Sequence, residues 1–197
     1  KSLERVLVSF VDRVVAISEY EEKLLINLHG SKKVVLLKNA ASPSLVAFDP
    51  EEQRLGYLFV GRLDEQKGID ELLKFWAEHG PGMLHVIGDS VRSDFTPPNL
   101  KNVTFHGWIE SGDLDTFYSS AEAVLVPSRW EGFGLVVIEA FRNGTPVIAS
   151  NRGALPELID VNETGFIFSF EDIDTELSAA LNNFENIKNK SDMHKAC

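Results

Sequence analysis

VLVPSRWEGFGLVVIEAF, residues 124–141, is the stretch on which the reading of this chain turns. Val124, Leu125 and Val126 form an apolar strand-like run, and Pro127, Gly132 and Gly134 punctuate a turn. An apolar helical run follows, closed by Asn143-Gly144-Thr145-Pro146. Strand, glycine-rich loop and helix start, in that order, make a backbone suited to an anion. The first N–H groups of a helix have no partner inside it, its dipole places positive potential there, and glycines let a ligand come close.

Glu131 stands just before the helix and Glu139 lies eight positions on, roughly a turn and a half into it at about 3.6 residues per turn. Such a spacing also arises by chance in an acidic chain, where Glu139 would be a solvated helix residue. The neighbours decide between the two. Leu135, Val136, Val137, Ile138, Ala140 and Phe141 make the helix apolar nearly all round, which predicts a buried carboxylate that needs hydrogen-bond donors.

A chain of 197 residues can hold one sizeable core, or one domain and part of another. No apolar run approaches the roughly 20 residues needed to cross a bilayer, and the N-terminus lacks a charged-then-apolar leader pattern. The expected location is cytoplasmic, with the membrane surface open to a longer protein. The single cysteine, Cys197, is the last residue, so the chain has no internal disulfide. Five histidines, at 29, 79, 85, 106 and 194, show no ligand spacing on one element, so no metal site is expected. A formal charge of −11, from 30 acidic and 19 basic residues, argues against a nucleic-acid footprint. An anionic ligand must then be held by a local cationic cluster.

Residues 3–10 have helical apolar spacing, 13–17 read as a strand, and Ser18 is a plausible N-cap for a helix to about Leu28, stopped by Gly30. A second strand spans 33–37. The pattern is lost from Ala40, with Pro43, Pro50 and a polar run, which reads as a linker at 40–56. Beyond it strands and helices alternate: strand 57–60, helix 69–79, strands 83–87 and 103–105, helix 114–120, strand 123–126. The central helix is followed by strand 146–149, a short helix near 155–159, strand 165–168 and a helix over 171–184. This order predicts an α/β fold, a Rossmann-like parallel sheet with helices on both faces at 57–184, followed by a polar tail at 185–197. Ligands of such sheets bind at the carboxyl ends of the strands, so the loops after Val60, Phe105, Val126 and Ala149 should share one edge.

Gly61, Arg62 and Lys67 occupy the first of these loops. Arg supplies a planar fork of donors and Lys a point charge, a suitable clamp for phosphate oxygens. The plainer reading is a solvated turn beside Asp64 and Glu65. The shared edge favours the clamp. His106-Gly107-Trp108-Ile109 offers backbone and an apolar wall to a planar base, although a Trp is as readily explained by packing. The loop 150–157 is either a further ligand-facing loop or a helix entry led by Pro156.

Gly61-Arg62-Leu63 with Lys67-Gly68, Phe105-x-Gly107, Val126-Pro127-Ser128, Glu131-Gly-Phe-Gly-Leu135 and Glu139-Ala140 resemble the donor-binding half of the retaining GT-B glycosyltransferases of family 4. Val14 to Ser18 and Lys33 to Asn39 resemble the end of that family's N-terminal domain, so residues 1–39 read as a remnant of it. The resemblance implies transfer of a sugar, with retention, from a nucleoside-diphosphate sugar to an acceptor hydroxyl, with no obligatory metal or other cofactor. It implies that Arg62 and Lys67 neutralise the donor diphosphate, that Glu131 lies beside the transferred sugar, and that Glu139 accepts hydrogen bonds from the ribose hydroxyls. Phe133, Gly134 and Leu135 would contact sugar and phosphate through their backbone.

Two positions depart from the family pattern: Asn39-Ala40 in place of Asn-Gly, and Gly153-Ala154 in place of Gly-Gly. The family's N-terminal glycine-rich loop, its acceptor site and its long returning C-terminal helix have no counterpart here. The chain therefore reads as part of a longer enzyme, expected to bind donor but turn over poorly alone, with a glycan, lipid or small-molecule acceptor held by the N-terminal domain. The rival readings are a non-catalytic nucleotide-sugar-binding module and a GT-B nucleotide-sugar epimerase, which fold alone does not separate.

Overall fold

The structure, a computed structural model of the chain, describes residues 3–40, 42–43, 49, 54, 56–90 and 95–197. The elements run α1 (Leu3–Ser9), β1 (Val14–Ala16), α2 (Glu19–His29), β2 (Val34–Leu36), β3 (Tyr57–Val60), α3 (Ile69–His79), β4 (Leu84–Ile87), β5 (Val103–Gly107) and α4 (Ser111–Ser120). They continue with β6 (Ala123–Val126), α5 (Leu135–Arg142), β7 (Val147–Ser150), β8 (Gly165–Phe168), α6 (Ile173–Glu185) and α7 (Lys190–Ala196). Short 3₁₀ turns lie at Glu65–Lys67, Leu155–Glu157 and Phe170–Asp172. The α/β reading holds. Among the described residues, β3 to β8 form a six-stranded, all-parallel sheet in the order β5-β4-β3-β6-β7-β8, and β1 and β2 pair in parallel as a separate two-stranded sheet.

Alternate residues of each strand supply the two faces. Tyr57, Phe59, Leu84, Val86, Leu125, Ile148, Phe166 and Phe168 pack on one side, against Trp76 and Phe75 of α3 and Leu177 and Phe184 of α6. Leu58, Ile87, Val124, Val126, Val147 and Ala149 pack on the other, against Tyr118 of α4, Val137 and Ala140 of α5, and Leu155. Both faces are covered, which is why β6 and β7 are apolar at almost every position and buried throughout. The strand order reverses between β3 and β6, and at such a switch point the loops diverge to opposite faces and leave a crevice at the carboxyl edge.

Within the linker read at 40–56, residues 41, 44–48, 50–53 and 55 lie outside the described residues. Its far end is pinned: Arg54 is buried, and its Nη1 donates to Thr145 Oγ1 at 2.9 Å. The polar tail expected at 185–197 is instead largely helical. Polar composition hid one apolar contact and one buried hydrogen bond: Met193 of α7 packs into the sheet's α3/α6 core, and His194 donates from Nδ1 to the Gly144 carbonyl at 2.7 Å. Lys190 adds ion pairs to Glu122 at 2.8 Å and Glu185 at 3.0 Å.

Burial pushes the His194 imidazole from 6.5 down to about 4, against the opposing effect of its bond to Gly144. A folded value below the unfolded one means that the unfolded chain takes up the proton first, so stability is present above about 6.5 and lost as pH falls towards 4. The thermal midpoint should therefore drop across that window, and His194→Gln should flatten the drop. An unchanged slope in differential scanning calorimetry of the variant would remove His194 as its cause.

Candidate functional site

The loops after β3, β6 and β7 are pressed together backbone to backbone. Gly68 ends the Glu65–Lys67 turn in the left-handed region (φ +70°), where an added Cβ would fall 1.9 Å from the Pro127 carbonyl oxygen. Gly153 (φ +59°) approaches the Glu131 carbonyl in the same way, again at 1.9 Å, while the Ala154 N–H donates to that oxygen at 3.0 Å. Arg129 N–H donates to the Gln66 carbonyl at 2.8 Å. Only glycine permits such approaches, so the glycines set the separation of the side chains that these loops present.

The result is a contact across the switch point. Lys67 Nζ lies 2.6 Å from Glu131 Oε2, with side-chain exposures of 19% and 14%. Ser128, itself buried, donates to the same carboxylate oxygen at 3.3 Å. The turn that carries Lys67 is held in place by Asp64, whose Oδ1 accepts from the Lys67 N–H at 3.0 Å. Arg62 does not join this pair. Its side chain is 53% exposed and reaches Asp64 Oδ2 at 3.3 Å and Gln66 Oε1 at 2.9 Å.

Gly61 and Arg62 instead line a cavity of about 340 Å³ with Val60, Ile87, Asp89 and Trp108. The loops after β3, β4 and β5 meet there, as the parallel sheet requires. Trp108 is 66% exposed, so its ring is available rather than consumed by packing.

Phe133 is buried, and Gly134 is the N-cap residue of α5, whose N-terminus carries no side-chain cap. The helix is not buried all round as expected. It is eight residues long, rests on the sheet along the stripe of Val137 and Ala140, and leaves Leu135 exposed and Glu139 half-buried. Glu139 does have the donor its position called for. Tyr118 Oη, on the fully buried Tyr118, donates to Glu139 Oε2 at 2.8 Å, and burial first, then this carboxylate, hold the phenol well above its usual range. Among the described residues Tyr118 is the one donor seen on this carboxylate, which leaves Oε1 without a hydrogen bond from the protein.

Sequence reasoning missed Tyr118. Its signal was a large polar-tipped aromatic in a short helix, with no spacing to link it to Glu139. It also missed the meeting of His85 on β4 with His106 on β5, 3.0 Å apart (Nδ1 to Nε2). One ring donates and the other accepts, an arrangement open to two neutral imidazoles, and burial lowers the pKa of both. Among the described residues no group of three or more His, Cys, Asp or Glu is placed to hold a metal ion, and no helix is long and apolar enough to cross a membrane.

A doubly wound parallel sheet whose carboxyl-edge loops are spaced by glycines defines the class: a Rossmann-like α/β unit of the GT-B type. The pattern described as Glycosyl transferases group 1 matches residues 47–196. The chain belongs to that family. It is similar to an uncharacterised 41.2 kDa protein of the cps region of Klebsiella pneumoniae, with 36% identity over 183 residues, 86% of this chain and 51% of that protein. Sucrose-phosphate synthase from Thermosynechococcus elongatus superposes with a TM-score of 0.77 at 28% identity, over 98% of this chain and 56% of that one. HepE of Anabaena in complex with UDP-glucose superposes with a TM-score of 0.78 at 20% identity, over 98% of this chain and 60% of that one. The chain thus spans about half the length of the Klebsiella protein and of the sucrose-phosphate synthase.

The family's second glycine after Gly153 is dispensable here, because Ala154 is fully buried with a helical backbone (φ −84°, ψ −7°). Gly153→Ala should therefore destabilise the fold by more than about 2 kcal/mol, since it combines a left-handed alanine with a backbone overlap. Ala154→Gly should cost no more than about 1 kcal/mol. Urea unfolding of the two variants checks the contrast; equal losses would mean that the loop shifts freely to accommodate a side chain at 153.

Proposed function

We propose that this chain is the donor-binding half of a retaining, hexosyl-type glycosyltransferase of family 4 that takes its sugar from a nucleoside-diphosphate sugar. The observation that supports this best is the Lys67–Glu131 contact beside the uncapped N-terminus of α5, with the open oxygen of Glu139 one turn along the same helix. In this reading the diphosphate lies between Arg62, Lys67 and the first N–H groups of α5, which meet the charge that builds as the sugar–phosphate bond breaks. The transferred sugar sits against Glu131 and the backbone of Phe133, Gly134 and Leu135. Glu139 takes the ribose hydroxyls, with Tyr118 fixing its carboxylate. The base enters the cavity at Gly61 and Trp108. Retention follows from the family resemblance. The acceptor, a glycan, lipid or small molecule, would be held by sequence outside this chain, and a cytoplasmic site fits a nucleotide-sugar donor.

UDP-glucose bound to HepE makes uridine diphosphate the first ligand to try. Arg62→Ala and Lys67→Ala should each weaken UDP by about 10- to 150-fold, the value of one charge-assisted contact, and barely affect uridine. Equal losses for both ligands in isothermal titration would place the pair away from the phosphates. Epimerisation of the nucleotide sugar in place of transfer would favour the epimerase reading.

For the two glutamates the expected pattern is split. Glu139→Leu leaves ribose hydroxyls and Tyr118 unpaired, lowering UDP affinity by about 1–3 kcal/mol, with Glu139→Gln in between. Glu131→Ala should leave UDP binding nearly intact and reduce discrimination among UDP-sugars. The reverse pattern in a two-by-two titration would invert the placement of donor along α5.

A further inference from the structure

We propose that Glu157 is a positioning residue that ties the seating of the N-terminal unit, β1 to β2, to the backbone that holds Glu131. The inference rests on the reading of Glu131 as the residue facing the donor sugar.

Helix α2 begins with N–H groups that have no partner within the helix. Its N-cap, Ser18, accepts the Glu21 N–H at 3.1 Å, and the Glu21 carboxylate takes the Ile17 N–H at 2.8 Å. Those of Glu19 and Tyr20 are left, and both go to Glu157. Glu19 N–H donates to Oε2 at 2.8 Å and Tyr20 N–H donates to Oε1. One carboxylate thus caps a helix 138 residues upstream with both of its oxygens. An anion at this end also meets the favourable pole of the helix dipole. Beside it, Lys38 Nζ is held by Glu19 Oε1 at 2.9 Å, so the local charge is shared rather than accumulated.

The other end of the connection is short. Glu157 closes the 3₁₀ turn Leu155–Glu157, which directly follows Gly153 and Ala154, the two residues applied to the Glu131 carbonyl. Leu155 is fully buried, and its Cδ2 lies 3.1 Å from where a Cβ on Gly134 would stand, so the same turn underpins the start of α5. On the opposite side Ile17 Cδ1 comes within 3.9 Å of the corresponding point on Gly132. The N-terminal unit therefore borders the Glu131–Gly134 loop at Ile17 and is joined to it through Glu157 and its turn. A displacement of α2 pulls on both.

The test uses this chain in three variants: Glu157→Ala; Glu157→Gln, which keeps one acceptor oxygen; and Glu19→Pro. The last removes a donor from α2 at its first position, where proline is tolerated, and leaves Glu157 in place. Amide hydrogen exchange is followed at residues 17–22 and 130–134, and UDP and UDP-glucose are titrated in parallel. Glu157→Ala is expected to speed exchange in both segments and to leave UDP affinity unchanged. It should reduce the added affinity for UDP-glucose on the order of 2- to 30-fold, with partial recovery in Glu157→Gln. Glu19→Pro should reproduce the effect at 130–134, and combining it with Glu157→Ala should add little. Faster exchange confined to 17–22, with UDP-glucose binding as in the wild type, would reduce Glu157 to an anchor and overturn the proposal. If the wild type gains nothing from the sugar, the reading of Glu131 fails, while exchange at 130–134 still decides the coupling. Should Glu157→Ala not fold, exchange at 130–134 in Glu19→Pro decides the coupling instead: faster exchange supports it and an unchanged rate overturns it.

Discussion

Three loops at the carboxyl edge of the sheet lie backbone against backbone, and the placement of Lys67 against Glu131 depends on that constraint. Gly68 against Pro127 joins the β3 loop to the β6 loop, and Gly153 against Glu131 joins the β6 loop to the β7 loop. No side chain intervenes at either point, so no rotamer change can relax the spacing. This is a stiffer arrangement than loops joined by long side chains, and it suits a site whose groups must be in position before a ligand arrives. Arg62, left on the outer side of its turn and half exposed, is the exception. Its guanidinium is held within its own loop, by Asp64 and Gln66.

Charge is distributed unevenly around this edge. The chain bears a formal −11, yet Lys67 is set within 2.6 Å of Glu131 and both are largely covered. Covering two charges costs desolvation that their attraction does not fully repay, and removing one partner alone is typically worse by about 3–5 kcal/mol. The pair is thus poor evidence for stability and better evidence for use. The same contrast applies to the buried Asp115, which sits against Arg142 and Asn143 at 3.1 Å from the amide. There the contacts fix the end of α5 to α4, and Arg142 also reaches the Ser42 carbonyl at 2.9 Å.

The fold was legible because its signals are periodic. Apolar runs such as Leu84–Ile87 and Ala123–Val126, spaced by helical patterns and glycine turns, leave little choice but a parallel sheet, and the sheet places the loops of Arg62, Trp108, Glu131 and Gly153 on one edge. Glu131 and Lys67 could be assigned to that edge, but their contact could not, because it depends on two glycine approaches that involve distant carbonyls. Tyr118 was out of reach for the same reason, meeting Glu139 across two helices without any shared spacing. Helix α7 was lost to composition, since one Met and one neutral His fix a segment that otherwise reads as solvated. Burial of α5 was overestimated because a short outer helix covers the sheet with one stripe, whatever the chemistry of its other faces.

The proposed placement sets a carboxylate beside a diphosphate, two anions in a site partly closed to water. Lysine resolves this better than arginine would. Its ammonium has three donors around one centre, and Glu131 Oε2 occupies one of them. A phosphate oxygen can take another without displacing the first, so the cation ends up between the two anions. In the proposed donor-bound arrangement the ammonium thus screens the diphosphate from the Glu131 carboxylate. A guanidinium committed to a two-pronged contact with the same carboxylate would have its fork filled and would offer the second anion only its edge. The Ser128 hydroxyl donates to the same oxygen at 3.3 Å, a second hold on the carboxylate. In the proposed reading the edge thus sets a point charge between two anions, on loops whose spacing is fixed by glycines.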